Sequence, residues 1–434
     1  MRRFLFCVPL FCYPAIAQAA CPEVTVANNM GLSGQFPQQF ELVEFETAAN
    51  CKLTFSDNPQ IGQLNARIVG NPAELPPVES RLPEEPLVVA PYDEIGQYGG
   101  VFDGMSNSTE SGTGELLSIR QVNMVRFSDD LETIVPNVAK SWNWNDDFTE
   151  LTFTLRRGHK WSDGKPFTAH DVVFWYHNMI MDPNVVQKPR DIWLSDGKPF
   201  TVEALDNQTV VFRMSAPRPG LLAAFGDDYA QPFQPKHFLG QFHPDINPDA
   251  DQLAKAAGFE NGYAVISAYY GGSDWKDIPT LIFKNPNKIS LLPAAVLPTL
   301  ESFIIVGETS EGRQIVANPY FHMVDTAGNQ LPYINEIDEK YVPDNEVRIL
   351  RMLNGQVDYK AQSVSLPDFP TLLDNQEKGN YEVLLRPQRR MRVIGFNLTA
   401  EDEEKRSIFG NRDFRIAMSR AINRAAINSV ANFD

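Results

Sequence analysis

The chain has 434 residues and a formal net charge of −17, with 43% hydrophobic and 11% aromatic residues. That length exceeds what one hydrophobic core usually supports, so two lobes are expected. The acidic balance disfavours nucleic acid and anionic lipid as partners and suits a freely diffusing protein.

Met1-Arg2-Arg3, a short apolar run and Ala17-Gln18-Ala19 have the three-part pattern of a secretory signal, which assigns residues 1–19 to a signal peptide and the mature chain to the periplasm. Pro9 and Pro14 would spoil a buried helix here. Losing Arg2 and Arg3 takes the net charge from −17 to −19. Ala20-Cys21 also admits a lipoprotein reading, against which Gln18 stands where a lipid-attachment signal normally has Leu. Arg2-Arg3 hints at twin-arginine export without the full flanking consensus. No other segment is long and apolar enough to span a bilayer. Cys7 and Cys12 leave with the signal, so in an oxidising compartment Cys21 and Cys51 are expected to form one disulfide.

Residues 20–74 read as a small extension stapled by that disulfide. Residues 75–90 are rich in proline and charge, which predicts an extended linker over the surface. Gly99 and Gly100, with Val101 and Phe102 after them, open a first lobe assigned to residues 91–318. With no Walker lysine and no GxGxxG, a phosphate cradle is a weak reading of these glycines. Met105, Ser106 and Asn107 follow in a small, polar stretch that suits either a cleft lining or an ordinary loop.

Residues 136–183 are denser in instruction. Leu151, Phe153 and Leu155 alternate with Thr152, Thr154 and Arg156, predicting a strand with one face buried and one in water. Trp142 and Trp144 share a face on the far side of the Asn145-Asp146-Asp147 turn, so a hairpin with aromatic cross-strand contacts is expected. Asp163-Gly164 reverses the chain again. Thr168 and Asp171 then form a capping box for a helix with Val172, Val173, Trp175, Tyr176 and Met179 as its apolar stripe, stopped by Asp182-Pro183.

The same stretch resembles the bacterial extracellular solute-binding proteins of family 5, the peptide- and oligopeptide-binding components of ABC importers. The resemblance is carried by Pro136-Asn137, Ser141-Trp142, Arg157-Gly158, Trp161, Asp163-Gly164-Lys165-Pro166-Phe167 and Asp171-Val172-Val173-Phe174. It extends over roughly residues 75–430. Tyr98-Gly99-Gly100 is similar to the strand that begins the family's sheet, and Pro235-Lys236-His237-Phe238 with Gln241-Phe242-His243-Pro244 is similar to a later motif. Asn318-Pro319-Tyr320-Phe321, Val324-Asp325 and Gly328-Asn329-Gln330-Leu331-Pro332-Tyr333 resemble a second signature, in which His322-Met323 replaces the usual aromatic-lysine pair.

Farther along, Val210, Val211 and Phe212 mark another strand behind an Asp206-Asn207 turn. The histidines lack zinc-type spacing, and no metal or other cofactor is expected. Tyr269, Tyr270 and Trp275 cluster around Gly271-Gly272 and suit either a ligand cleft or the core. Residues 319–434 are assigned to a partial second lobe. Within it, residues 337–342 read as a strand and residues 346–354 as a helix with Val347, Leu350 and Leu353 on one face. Phe414, Ala417, Met418 and Ala421 recur at helical spacing, and Asn423 can cap a further helix. Glu401-Asp402-Glu403-Glu404 reads as a solvated turn.

The resemblance implies an α/β, two-lobe, type II periplasmic-binding-protein fold of the peptide-binding cluster, with its second lobe incomplete at Asp434. It implies a monomer that captures a peptide or similar oligomeric solute between the lobes and delivers it to membrane permease subunits. Met105, Ser106, Asn107, Tyr269, Tyr270 and Trp275 are the candidate ligand contacts. The acidic group with which family members fix a peptide amine falls in the part absent here. A secreted hydrolase is the alternative, although GxSxG, HExxH and a free cysteine nucleophile are all missing. A sensory or chaperone-like binding module shares the fold.

Overall fold

The computed structural model describes residues 20–107, 119–227, 231–270, 296–309, 311–362, 364–385 and 393–432. The signal segment and Trp275 lie outside the described residues. Two compact units are present, the first running to Tyr341 and the second beginning at Val342.

The strands of the first unit, in chain order, are β1 (Gln39–Glu41), β2 (Leu87–Val89), β3 (Gly99–Ser106), β4 (Val125–Phe127), β5 (Ile134–Pro136), β6 (Ala139–Trp144), β7 (Glu150–Leu155), β8 (Leu194–Ser195), β9 (Lys198–Pro199), β10 (Thr201–Ala204), β11 (Thr209–Arg213), β12 (Phe303–Thr309), β13 (Gly312–Ala317), β14 (Met323–Asp325) and β15 (Ile334–Tyr341). Three sheets have the orders β1-β2-β14, β10-β11-β7-β6 and β12-β13-β15-β3, beside the small pairs β4-β5 and β8-β9. The β14/β2 and β15/β3 pairings are parallel and the others antiparallel.

The β6-β7 hairpin forms as its alternation predicts, with Trp142 opposite Phe153 and Trp144 opposite Leu151. Leu151, Phe153 and Leu155 are buried in a core that also holds Trp161, Trp175 and Trp193. Gly164 makes the expected reversal at φ +82°, where a Cβ would stand 2.7 Å from the Tyr320 hydroxyl, so glycine is required on two counts. The helix Ala169–Phe174 starts at the capping box, where the Thr168 amide donates to Asp171 Oδ2 at 2.8 Å. It widens into a π-helical turn, Trp175–Ile180, that buries Trp175, Tyr176, Met179 and Ile180 together.

Four expectations are corrected. Residues 75–90 are no surface linker: Val78, Leu82, Leu87 and Val88 are buried, β2 is the middle strand of a sheet, and Arg81 is 1% exposed. The Arg81 guanidinium pairs with Asp57 and donates to Gln330 Oε1 at 3.0 Å and the Pro76 carbonyl at 3.0 Å, which makes its burial tolerable. Arg156 does not face water. It is 1% exposed, donates to both Glu41 carboxylate oxygens at 2.7 and 2.8 Å, and donates to the Asn137 carbonyl at 2.9 Å. Residues 20–74 are likewise no separate extension, because β1 pairs with β2, and the Val24 amide donates to Thr326 Oγ1 at 3.0 Å. Finally, the units part after Tyr341 and not at residue 318, because β14 pairs with β2 and β15 with β3, both strands of the first unit.

The Cys21–Cys51 disulfide is formed, with Cα atoms 5.2 Å apart. Cys51 belongs to a small core with Phe45, Val88 and Val324, so the bond secures the segment that carries β1.

The second unit is helical, with Asn345–Leu353, Glu403–Gly410, Arg412–Ala421 and Arg424–Asn432 as its longest elements. Asp344 caps the first, accepting from the Val347 amide at 2.9 Å. Its buried face carries Arg348 and Met352, while Val347 and Leu350 are exposed. Asn423 caps the last helix as expected, accepting from the Ala426 amide at 3.0 Å. The acidic run is not a plain turn: Asp402 accepts from the Lys405 amide at 3.0 Å, and Glu403 and Glu404 fill the first helical turn, where negative charge is stabilised.

Two outcomes follow from this packing. Glu41→Ala leaves the buried Arg156 without its carboxylate and should cost about 3 kcal/mol in urea unfolding. The denatured, unreduced mature protein should show no free thiol, and reduction should lower its stability by about 3 kcal/mol.

Candidate functional site

Two features of the first unit can be assessed as sites. The first is the edge formed by the carboxyl ends of β3 and β15. Lys340 pairs with Met105 and Tyr341 with Ser106, so both strands finish at one edge and the unit ends there. Ligand crevices of α/β proteins lie outside the carboxyl ends of parallel strands. Met105 and Ser106 are buried within this edge, and Asn107 just beyond it is exposed. Beneath it, Arg313 and Glu339 make a fully buried ion pair at 3.4 Å, and the Arg313 guanidinium lies 5.4 Å from the centre of the Tyr341 ring. A charge pair so enclosed holds neighbouring strands in fixed register.

Tyr269 is placed elsewhere. It is 1% exposed, packs edge-on against Phe238 at 5.3 Å in the core beside β12 and β13, and its phenol is pushed up by burial. It is therefore a core residue. Tyr270 ends the helix Gly262–Tyr270. The predicted contacts thus divide between a strand edge and the core.

The second feature is an open groove of about 500 Å³ lined by Thr168, His170, Asp171, Lys236, His237 and Gln241, among others. Its walls are the capping box and the Pro235-Lys236-His237 segment. Asp171 Oδ1 accepts from the Lys236 amide at 3.0 Å, and His237 Nε2 is 2.8 Å from Asp163 Oδ2. Burial pushes the Asp171 carboxyl up, and the amides of Thr168 and Lys236 oppose that shift. These contacts staple one motif to the other.

Asp182, His243 and Asp245 also come together, with candidate ligand atoms within 4.8 Å of one another. Sequence spacing could not show this cluster, because a long segment separates Asp182 from His243. The His243 ring and the Asp182 carboxylate are engaged, however. His243 Nε2 lies 2.9 Å from the Asn178 carbonyl and 3.1 Å from Asp182 Oδ2, and its Nδ1 accepts from the Asp245 amide at 3.3 Å. Tyr263 donates to Asp182 at 3.0 Å, and its phenol is pushed up to about 12 by burial and by that carboxylate. The cluster is a hydrogen-bonded knot. His177 is similarly occupied, with Nε2 2.9 Å from the Val202 carbonyl.

The model of the family described as "Bacterial extracellular solute-binding proteins, family 5 Middle" matches residues 133–276 and 300–433. The chain belongs to this family. Its fold is the α/β, two-lobe, type II fold of periplasmic binding proteins. Among curated relatives, the periplasmic alpha-galactoside-binding protein of Rhizobium meliloti is 27% identical over 392 residues, covering 81% of this chain and 50% of the relative. The periplasmic oligopeptide-binding protein OppA of Salmonella typhimurium is 34% identical over 128 residues, 22% of this chain and 23% of OppA. Among solved structures, an oligopeptide-binding protein OppA matches with a TM-score of 0.66 at 28% identity, over 90% of this chain and 59% of that one. The periplasmic binding protein MelB of Agrobacterium fabrum, in complex with stachyose, matches with a TM-score of 0.58 at 22% identity, over 84% and 51% of the two chains, which speaks to fold alone. The chain spans about half the length of the curated relatives that match most of it.

The family marker is therefore a folding module. Thr168→Ala should destabilise the protein by about 1 kcal/mol in thermal or urea unfolding and leave solute preference unchanged.

Proposed function

We propose that this protein is the extracytoplasmic solute-binding component of an ABC import system, taking peptides or similar oligomeric solutes to a membrane permease. The family match across both long segments carries the reading. The protein acts as a periplasmic monomer by binding and release, without catalysis and without a cofactor. The strand edge at Asn107, outside the carboxyl ends of the parallel strands β3 and β15, is the proposed contact region.

A second ligand class is favoured by one observation. The alpha-galactoside-binding relative aligns over 81% of this chain, whereas the Salmonella oligopeptide-binding relative aligns over 22%. Peptides and alpha-galactosides are therefore the two classes to compare. Thermal unfolding of protein purified from cells that make it, with a tetrapeptide pool in one arm and stachyose in the other, decides between them. A solute at about 100 times its dissociation constant should stabilise by about 2.7 kcal/mol. Hydrolysis of either probe, or no saturable shift with both, would overturn the proposal.

A further inference from the structure

His322 stands where the second signature departs from its family pattern, and it meets another histidine in the structure. His322 and His159 are both fully buried, with ring centres 4.8 Å apart. Phe167 closes on His159 at 5.3 Å and Phe321 on His322 at 4.9 Å. His322 Nε2 is 3.2 Å from Asn137 Oδ1. Its Nδ1 and both ring nitrogens of His159 have no hydrogen-bond partner among the described residues.

The pair occupies a seam. The Phe167 amide donates to the His159 carbonyl at 2.9 Å, and the Leu87 amide of β2 donates to the His322 carbonyl at 3.2 Å. One ring thus belongs to the loop after β7 and the other to the segment entering β14. The nearest charges acting on the rings are the cations Arg156 and Lys160. Of the carboxylates on the surrounding segments, Glu41 pairs with Arg156, Glu84 with Arg157, Glu85 with Lys140 and Asp163 with His237, while Asp325 of β14 accepts from Asn329 and Tyr333. A proton on either imidazole would therefore meet a neutral ring and the Arg156 cation, joined at His159 by Lys160, with no water-facing side.

We propose that the His159–His322 pair is an acid-sensitive latch, closed while both rings are neutral and forced open when either takes a proton. The opening separates the loop after β7 from β14 and releases the edge of β2. Burial, reinforced by Arg156 and Lys160, holds His159 down at about 3, and burial beside His159 and Arg156 holds His322 well below its ordinary value. In the opened chain both rings recover a value of about 6.5. The closed form is thus fully favoured above about pH 6.5 and loses ground as pH falls toward about 3. Between pH 6.5 and 5.5 the open population rises about fivefold per histidine and about thirtyfold for the pair, and more steeply below.

Amide hydrogen exchange at Leu87 and Phe167, corrected for intrinsic rates and read between pH 6.5 and 5.5, tests this above the ordinary range of exposed carboxylates. The expected result is a steep rise in the opening constant, halved in logarithmic slope by His159→Phe and abolished in the His159→Phe, His322→Phe double variant. Imidazole resonances of the wild-type protein provide a reading that needs no variant to fold. Both rings should stay neutral in the closed form across that interval. A pH-independent opening constant, or either ring titrating near 6.5 without opening, would overturn the latch.

Discussion

The Arg156 guanidinium, sealed inside the first unit, constrains much of what surrounds it. A buried cation is tolerable only if it is paired and its donors are used, and the partners that satisfy Arg156 come from β1, from the turn before β6 and from Glu85, two residues before β2. Three stretches distant in sequence must therefore converge before the strand end of β7 can be buried. Arg81 repeats the device, gathering Asp57, Pro319 and Gln330 around one side chain. Together the two arginines explain why residues 20–90 are integral to the first unit. The disulfide then restrains a segment whose position these ion pairs already define.

Much of the fold was legible because it is written locally. Strand β7 follows from the period of Leu151, Phe153 and Leu155. The helix at Ala169 follows from Thr168 and Asp171, and the turn at Gly164 from its composition. The buried arginines were not legible. A proline-rich stretch with charges has the composition of a linker, and only the presence of Asp57 and Gln330, far away in sequence, turns Arg81 into a core residue. Arg156 misled for the same reason, since its place in the alternation marks the outer face and Glu41 overrides that.

The candidate site was less legible than the fold. Aromatics beside glycines at residues 269–275 fit a cleft and a core equally well in composition, and packing against Phe238 decides the matter for Tyr269. Met105 and Ser106 were named for their small, polar surroundings, yet what distinguishes them is position at the shared end of two parallel strands. That position depends on β15, more than two hundred residues later, which no local pattern around residue 105 encodes.

Burial is uneven along the chain. The first unit has large cores in which tryptophans and phenylalanines are fully enclosed. Among the described residues from Val342 onward, the buried apolar side chains are Val342, Met352, Leu372 and Ala400, while Leu384, Leu385, Val393 and Ile394 are each at least 60% exposed. Segments with little buried apolar surface open at lower free energy than the cores beside them, and elements that rearrange on binding are drawn from that end of the range. The strand edge at Asn107 belongs to the well-packed part, braced by the Arg313–Glu339 pair, so its geometry is set before any solute arrives. A solute that meets a preset edge spends less of its interaction energy on ordering the protein. Under the proposed function, selectivity among oligomeric solutes turns on which backbone and side-chain groups that edge presents, a property that distant relatives sharing the scaffold do not have to share.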